Sequence, residues 1–330
     1  MRRFFISFML SCLFFSCESG EPKLQELRGS VFGTSYGIQY FDSQNNQKLV
    51  QAVDSVFYAI NASLSTYLPN SIISRINKNT HVKLDNIFIE VYQASLSVYK
   101  DTEGRFDPTI GGLVNAWDFG PEGAEKDLDS LRIAQLMTGV GFNKISIFDN
   151  ELQKSNNAIY IDFNAIAKGF AVDEISKLLD RFGFHDYVVE IGGEIRTSGH
   201  NIDKNKDWKI GIDKPNFDGT QSMITAIELK NQSMATSGVY RHYWVNDQGF
   251  RYAHIIDTKT GFPSRTDILS VSVIANQCMI ADAFATALQS MNSSEADTFL
   301  KKHLDLKVML ITAKPDGDLE LKYYNGFPSN

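Results

Sequence analysis

The chain is short of cysteine. Its 330 residues hold three, at Cys12, Cys17 and Cys278. Cys12 and Cys17 belong to an apolar N-terminal stretch, so once that stretch is processed no intramolecular disulfide can form. Cys278 stands beside Met279 and Ile280 and reads as a small buried hydrophobe. The fold must therefore rest on a core, and 43% hydrophobic residues in a chain of this length are enough to build one. Only eight prolines are present, and no Pro/Ser-rich linker, internal repeat or low-complexity segment breaks the chain. No Lys/Arg-rich run occurs and the net charge is −7, which excludes nucleic acid as the main partner. The pattern G-x-x-x-x-G-K-[ST] is missing, and so is G-x-G-x-x-G, which excludes a P-loop and a Rossmann fingerprint. An anionic ligand would have to be held by other means, such as helix N-termini or a metal ion.

No apolar run reaches the roughly 20 residues of a spanning helix. The longest, Phe4 to Phe15, follows Arg2 and Arg3 and ends at Ser16-Cys17. That order is an export signal. It is similar to a bacterial lipoprotein signal, in which cleavage before Cys17 leaves a lipid on that residue. Phe14 and Phe15 stand where smaller residues are usual, and an ordinary secretory signal is the other reading. The expected organisation is a signal over 1–16, lipidated Cys17 with a polar tether over 17–27, and one domain over 28–330. Loss of Arg2 and Arg3 takes the charge from −7 to −9.

Beyond the tether the spacing alternates between periods of two and 3.6. "RGSVFGTSYGIQYF" reads as a strand pair around a Gly-bearing turn, and Leu49, Val53, Val56, Phe57 and Ile60 mark a helix. Further helices are expected in "DNIFIEVYQASLSVYKDTEG", "LRIAQLMTGVGF", "KGFAVDEISKLLDRFG", "NQCMIADAFATALQSM" and "SSEADTFLKKHL". Strands are expected in "NAIYIDF", "DYVVEIGGEIRTSG", "DWKIGID", "MITAIELKNQSMATSG", "YRHYWVN", "RYAHIID", "DILSVSVIA", "LKVMLITA" and "LELKYY". The fold class is α/β of the α+β type: one domain, a mixed and largely antiparallel sheet, and helices packed on it.

Five stretches carry polar groups that a plain connection does not require. In "MIADAFATALQSM", Asp282 and Thr286 are one turn apart beside an apolar stripe. Two hard oxygens so placed can grip Mg²⁺, and the same spacing suits a solvated Asp beside a back-bonding Thr. In "RYAHIIDTKTGFPS", His254 and Asp257 follow a strand and precede a Gly/Pro turn, where His254 is either a base or a structural histidine. "GRFDPTIGGLVNAWDFG" pairs a rigid loop with Trp117 and Phe119, which could stack on a flat ring or pack the loop itself. "LSTYLPNSIISRIN" is either a helix-end turn or a ligand wall. Last, "IDFNAIAKGFAVD" puts Asp162, Asn164 near an N-cap position, and Lys168 where a strand passes into a helix. Free N–H groups there suit a phosphate, and a Lys so early in a helix is electrostatically misplaced unless an anion sits there.

Set in order from about Val31 to Ala287, these stretches together with "FGTSYGIQY", "EIGGEIRTSG" and "ATSGVYRHYW" resemble the ApbE-type FAD:protein FMN transferases, and lipoprotein export is usual in that family. The resemblance implies covalent flavinylation. FAD binds with Mg²⁺, FMN passes to a Thr or Ser hydroxyl of a partner protein, and AMP leaves. It implies acceptors with a D-x-x-[ST]-G-x-[AST]-T type sequence on the periplasmic side, such as subunits of the sodium-translocating NADH:quinone reductase (Nqr) and of the Rnf complex. The lipid would anchor the enzyme to the membrane. The metal ligands carry over to Asp282, Thr286 and the Ala165 carbonyl. FAD contacts carry over to Asp162, Lys168, His254 and Ile256, with Phe32, Tyr67, Phe106, Asp107 and Pro108 as further candidates. His254 is the candidate base for the acceptor hydroxyl, and Asp257 competes for that role. Two departures stand out: Thr258 where the family has Pro, which suggests a looser turn, and Asn164 where many members have Gly. An FAD pyrophosphatase and a non-catalytic FAD-binding lipoprotein are the alternative functions.

Overall fold

The computed structural model describes residues 21–43, 46–125, 128–240, 243–245, 251–314 and 318–329, with the backbone alone at 243–245 and 251–253. The signal reading over 1–16 and the lipidation reading at Cys17 lie outside the described residues.

The chain opens with β1 (Lys23–Val31) and β2 (Thr34–Asp42), paired antiparallel from Lys23↔Asp42 to Val31↔Thr34. Lys23–Leu27, read as the end of a tether, are thus in the sheet. Their alternation is weak because β1 is an edge strand with most side chains exposed. Next come α1 (Gln47–Leu64), α2 (Ile72–Asn77), α3 (Asn86–Asp101), α4 (Gly111–Ala116) and α5 (Ser130–Met137). A hairpin of β3 (Ile145–Phe148) and β4 (Glu151–Lys154) precedes α6 (Asn164–Arg181). Then follow β5 (Tyr187–Ile191), β6 (Glu194–Ser198), β7 (Trp208–Asp213), β8 (Met223–Leu229), β9 (Ser233–Gly238), β10 (Tyr243–Val245), β11 (Arg251–Ala253) and β12 (Ile268–Ala275). The chain ends with α7 (Cys278–Gln289), α8 (Ser293–Leu300), β13 (Lys307–Ala313) and β14 (Leu319–Tyr324).

Eight strands form one sheet in the order β1-β2-β5-β6-β9-β12-β13-β14, every neighbouring pair antiparallel. Period-two alternation sorts the two faces. Tyr187, Val189, Ile191, Val271, Val273, Val308 and Leu310 meet the helices in the main core, while Ile274, Met309 and Ile311 pack under the β7–β8 hairpin. A smaller cluster of Leu113, Ile133 and Ile256 ties α4 and α5 to the segment after β11.

"NAIYIDF" is the one expected strand that the fold does not make. Its single ladder contact is a parallel bridge between Tyr160 and Ile110. The strand-like run is satisfied by other groups: Ile161 gives its N–H to Asn77 Oδ1 at 2.8 Å and takes Asn77 Nδ2 on its carbonyl at 2.8 Å. Asp162 N–H goes to the Pro108 carbonyl at 2.8 Å. A side-chain amide and a loop here do the work of a neighbouring strand.

The helix junction that matters most is between α6 and α7. Gln277, the N-cap of α7, gives its helix no side-chain bond. Asp173 of α6 replaces it, accepting the N–H of Cys278 at 2.8 Å and of Met279 at 3.0 Å. Burial pushes its carboxyl up to about 6 against the pull of those two bonds. Because the folded pKa lies above the unfolded value of 3.8, the protonated carboxyl adds stability that is full below pH 3.8 and lost as pH rises to about 6. Asp173→Ala, which orphans both donors, should cost about 2 kcal/mol. Asp173→Asn should instead flatten the dependence of Tm on pH over that window, as thermal melts from pH 4 to 7 will read.

Candidate active site

The site starts from the entry to α6. Phe163, its N-cap residue, is buried with its ring edge-on to Phe88 at 5.3 Å. Asn164 is therefore the first helical residue and not the cap. Asp162 does the capping, with Oδ1 accepting Asn164 N–H at 2.7 Å and Oδ2 accepting Asn164 Nδ2 at 3.2 Å. Burial raises the Asp162 pKa against those two bonds. Across from it stands Tyr67, 61% exposed, whose phenol is raised first by desolvation and then by the charge of Asp162. Ser71 and Ser74 hydroxyls close the Ser65 carbonyl beneath. "LSTYLPN" is thus a helix-end turn that also presents Tyr67 outward.

Lys168 has its anion inside the protein. Its Nζ is 2.8 Å from Glu194 Oε1 and 3.9 Å from Asp282 Oδ2. Glu194 is 2% exposed and Asp282 3%. Glu194 went unnoticed in the sequence. The signal for it was a carboxylate directly after the Gly192–Gly193 turn, whose φ values of 60° and 96° fit a two-residue hairpin loop. Strand alternation turns the first residue of β6 inward, and the Lys168 ammonium offsets the cost of burying that carboxylate.

Asp282 is fixed from the other helix. Its Oδ2 accepts the N–H of Gly169 at 3.0 Å. That N–H has the Ala165 carbonyl as its regular helical acceptor, so the carboxylate and the carbonyl share one donor. A glycine is required, because a Cβ at 169 would lie 2.5 Å from the Cys278 carbonyl oxygen. Thr286, one turn on from Asp282, shares a hydroxyl contact of 3.4 Å with Ser237 of β9. Asp282 and the Ala165 carbonyl thus meet at one N–H where α6 crosses α7, and Thr286 lies one turn further along α7 against Ser237. They are all hard oxygen donors, which suits Mg²⁺. Among the described residues no group of three or more His, Cys, Asp or Glu side chains could hold a metal ion, so a cation here would rely on neutral oxygens beside one carboxylate.

The Phe106–Pro108 loop does not offer its side chains to a ligand. Phe106 is 2% exposed, and Asp107 spends its carboxylate on Thr109 N–H, Thr109 Oγ1 and Phe142 N–H at 2.9, 2.6 and 3.1 Å. Burial still raises that carboxyl. Pro108 is buried and gives its carbonyl to Asp162 N–H. The loop is the scaffold under Asp162, and any contact with a cofactor falls to its backbone. Ile256 is likewise core, at 4% exposure, bridged to Pro263. Phe32 sits at φ 51° in the β1–β2 turn and packs its ring edge-on to Phe57 at 5.7 Å.

Around His254 the turn is clamped from three sides. Asp257 accepts Lys259 N–H on Oδ1 at 2.8 Å and meets Arg105 Nη1 at 3.5 Å, while Arg105 Nη2 reaches Glu295 at 2.5 Å. Thr258 donates its hydroxyl to the Gly104 carbonyl at 2.6 Å, a tether that proline cannot make, so the turn is not looser for its lack of proline. Trp117 Nε1 donates to the Gly261 carbonyl at 2.9 Å, and Phe119 lies edge-on to His254 at 6.3 Å. Trp117 and Phe119 therefore brace this turn. The other end of α4 backs onto the α6 entry: a Cβ on Gly111 would lie 2.7 Å from the Tyr160 ring and 3.0 Å from Asp162 Cβ. One short helix thus joins the two halves of the site.

Known proteins share both the sequence and this architecture. The model of the ApbE family matches residues 32–310. The "FAD:protein FMN transferase" of Haemophilus influenzae is 36% identical over 310 residues, covering 90% of this chain and 89% of its own. The solved "Flavin Transferase ApbE" from Vibrio cholerae superposes with a TM-score of 0.84 at 32% identity, covering 93% of this chain and 98% of its own. The apo flavinyl transferase ApbE of Pseudomonas stutzeri gives 0.84 at 28% identity, with 93% and 96% covered. With most of its length matched by one family model, and the same fold in solved relatives, the chain belongs to the ApbE family.

Proposed function

We propose that the protein is an FAD:protein FMN transferase that moves FMN from FAD to a Thr or Ser hydroxyl of a partner protein and releases AMP. The observation that carries this reading is the oxygen set at the α6–α7 crossing beside an ammonium: Asp282 held by Gly169, with Lys168 at 3.9 Å. A diphosphate needs positive charge at its oxygens, and the Lys168 ammonium supplies part of it. Asp282, Thr286 and the Ala165 carbonyl would hold Mg²⁺, which would neutralise charge on the leaving phosphate. Tyr67 and Asp162 stand together at the mouth of this region and line the cofactor's path.

The transfer balances simply. The acceptor oxygen bonds to the FMN phosphorus, the bond to the bridging oxygen breaks, and AMP leaves with that oxygen. The proton of the acceptor hydroxyl must go to a base. We take His254 as that base, as the resemblance implies; the competing Asp257 carboxylate already accepts Lys259 N–H and meets Arg105. Export with a lipid on Cys17 would put the enzyme on the periplasmic face of a membrane, next to acceptors of the D-x-x-[ST]-G-x-[AST]-T type. Among the described residues no helix is long and apolar enough to cross a membrane.

The test is direct. The purified protein is incubated with FAD, Mg²⁺ and a domain carrying the acceptor sequence, and products are followed by in-gel fluorescence and chromatography. FMN covalently on the acceptor, with AMP in equal amount, is the expected result. Free FMN with AMP would identify a pyrophosphatase, and unaltered bound FAD a carrier. A chelator should stop turnover, and added Mg²⁺ should restore it.

A further inference from the structure

We propose that Glu194 sets the cation affinity of the Asp282 site by holding the Lys168 ammonium off Asp282. The inference rests on the reading of Asp282 as a metal ligand and adds a residue that this reading does not contain. Glu194 and Asp282 are both almost fully buried and come from different elements, β6 and α7. Lys168 of α6 stands between them, at 2.8 Å from the first and 3.9 Å from the second. Asp282 is pinned by Gly169 N–H, so its carboxylate cannot follow the ammonium. The side chain of Lys168 is 30% exposed and flexible, and its position is decided by which carboxylate attracts it more.

A divalent cation arriving at Asp282 meets a like charge a few ångströms away, and such repulsion is strong even at a moderate effective dielectric. Glu194 offsets it. The three groups together carry one net negative charge, and the ammonium's closest contact is the carboxylate that does not bind metal. Without the Glu194 charge the sum of the pair is zero, and among the ion pairs of the described residues Asp282 is the anion left to Lys168. The site then closes on its own lysine, and the cation must break an ion pair to enter. Without Lys168 the two carboxylates carry two negative charges and that ammonium no longer competes with the cation. Removing both restores one negative charge, now on Asp282 alone.

Mn²⁺ is the probe, titrated by electron paramagnetic resonance into the full protein without FAD, so that the readout is independent of turnover. Thermal melts accompany each variant. Glu194→Gln should raise the Mn²⁺ Kd at least tenfold. Lys168→Met should lower it, and it carries this sign even if the Gln variant folds poorly. The double variant should return to within about threefold of the parent. A double variant as weak as Glu194→Gln would make Glu194 a direct ligand and overturn the proposal. An unchanged Kd in Glu194→Gln or a weakened one in Lys168→Met would also overturn it. Asp282→Ala separates the two levels: if Mn²⁺ still binds there with parental affinity, the metal assignment itself is wrong.

Discussion

Asp282→Ala should leave a folded protein whose turnover with FAD and acceptor is lower by about a thousandfold or more. A metal at the leaving phosphate supplies several kcal/mol of transition-state stabilisation, and about 4 kcal/mol corresponds to about three decades in rate. The fold should survive for a specific reason. The N–H that Asp282 accepts belongs to Gly169, which keeps the Ala165 carbonyl as a helical acceptor, so that donor is not orphaned. The ammonium of Lys168 keeps Glu194 at 2.8 Å. Melting within a few degrees of the parent, together with lost AMP release, is the expected pair of results. A turnover within threefold of the parent at saturating Mg²⁺ would remove Asp282 from the metal site.

Gly169→Ala should be as damaging, by a different route. In most exposed helix interiors Ala is better than Gly by about 1 kcal/mol. Here the new Cβ would stand 2.5 Å from the Cys278 carbonyl oxygen, and 2.7 Å from both the Cys278 carbonyl carbon and Met279 Cα. All three are backbone atoms, so no side chain can swing away. Nor can the start of α7 drift, because Asp173 holds the N–H groups of the same two residues. We expect a loss of about 3 kcal/mol, near the upper end for overpacking, read as a drop of about 5 °C in Tm for a chain of this length. Separation of the helices would also pull Asp282 from Gly169, so Mn²⁺ affinity should fall with stability. A neutral or raised Tm would mean that α6 and α7 are not packed as described.

Where a segment's partners are close in sequence or follow a simple period, the residues announced their structure. Leu49, Val53, Phe57 and Ile60 mark α1 by spacing and are all buried. The two-residue turn at Phe32–Gly33 was legible as the hairpin between β1 and β2. "NAIYIDF" was not, because apolar alternation cannot tell a strand from a run paired by Asn77 and Pro108. The short α4 was hidden by its two leading glycines, which look like loop. At the site, Lys168 betrayed an anion but not its identity. Glu194 is 26 positions away, and only the sheet brings it near. The Asp107 carboxylate failed in the opposite sense: it looked available and is consumed by its own loop. Sequence pattern reports residue type and period. It does not report which polar group a carboxylate has already met.

The paired bonds between Asn77 and Ile161 have a mechanical consequence. Asn77 ends α2, the helix that follows the Tyr67 turn, and Ile161 immediately precedes Asp162. The two walls at the mouth of the site are thereby riveted to each other across 84 positions of chain. They must travel as one jaw. The opposite wall, the His254 turn, is held among the described residues by one charged contact and two single hydrogen bonds, and α4 ties it to the α6 entry.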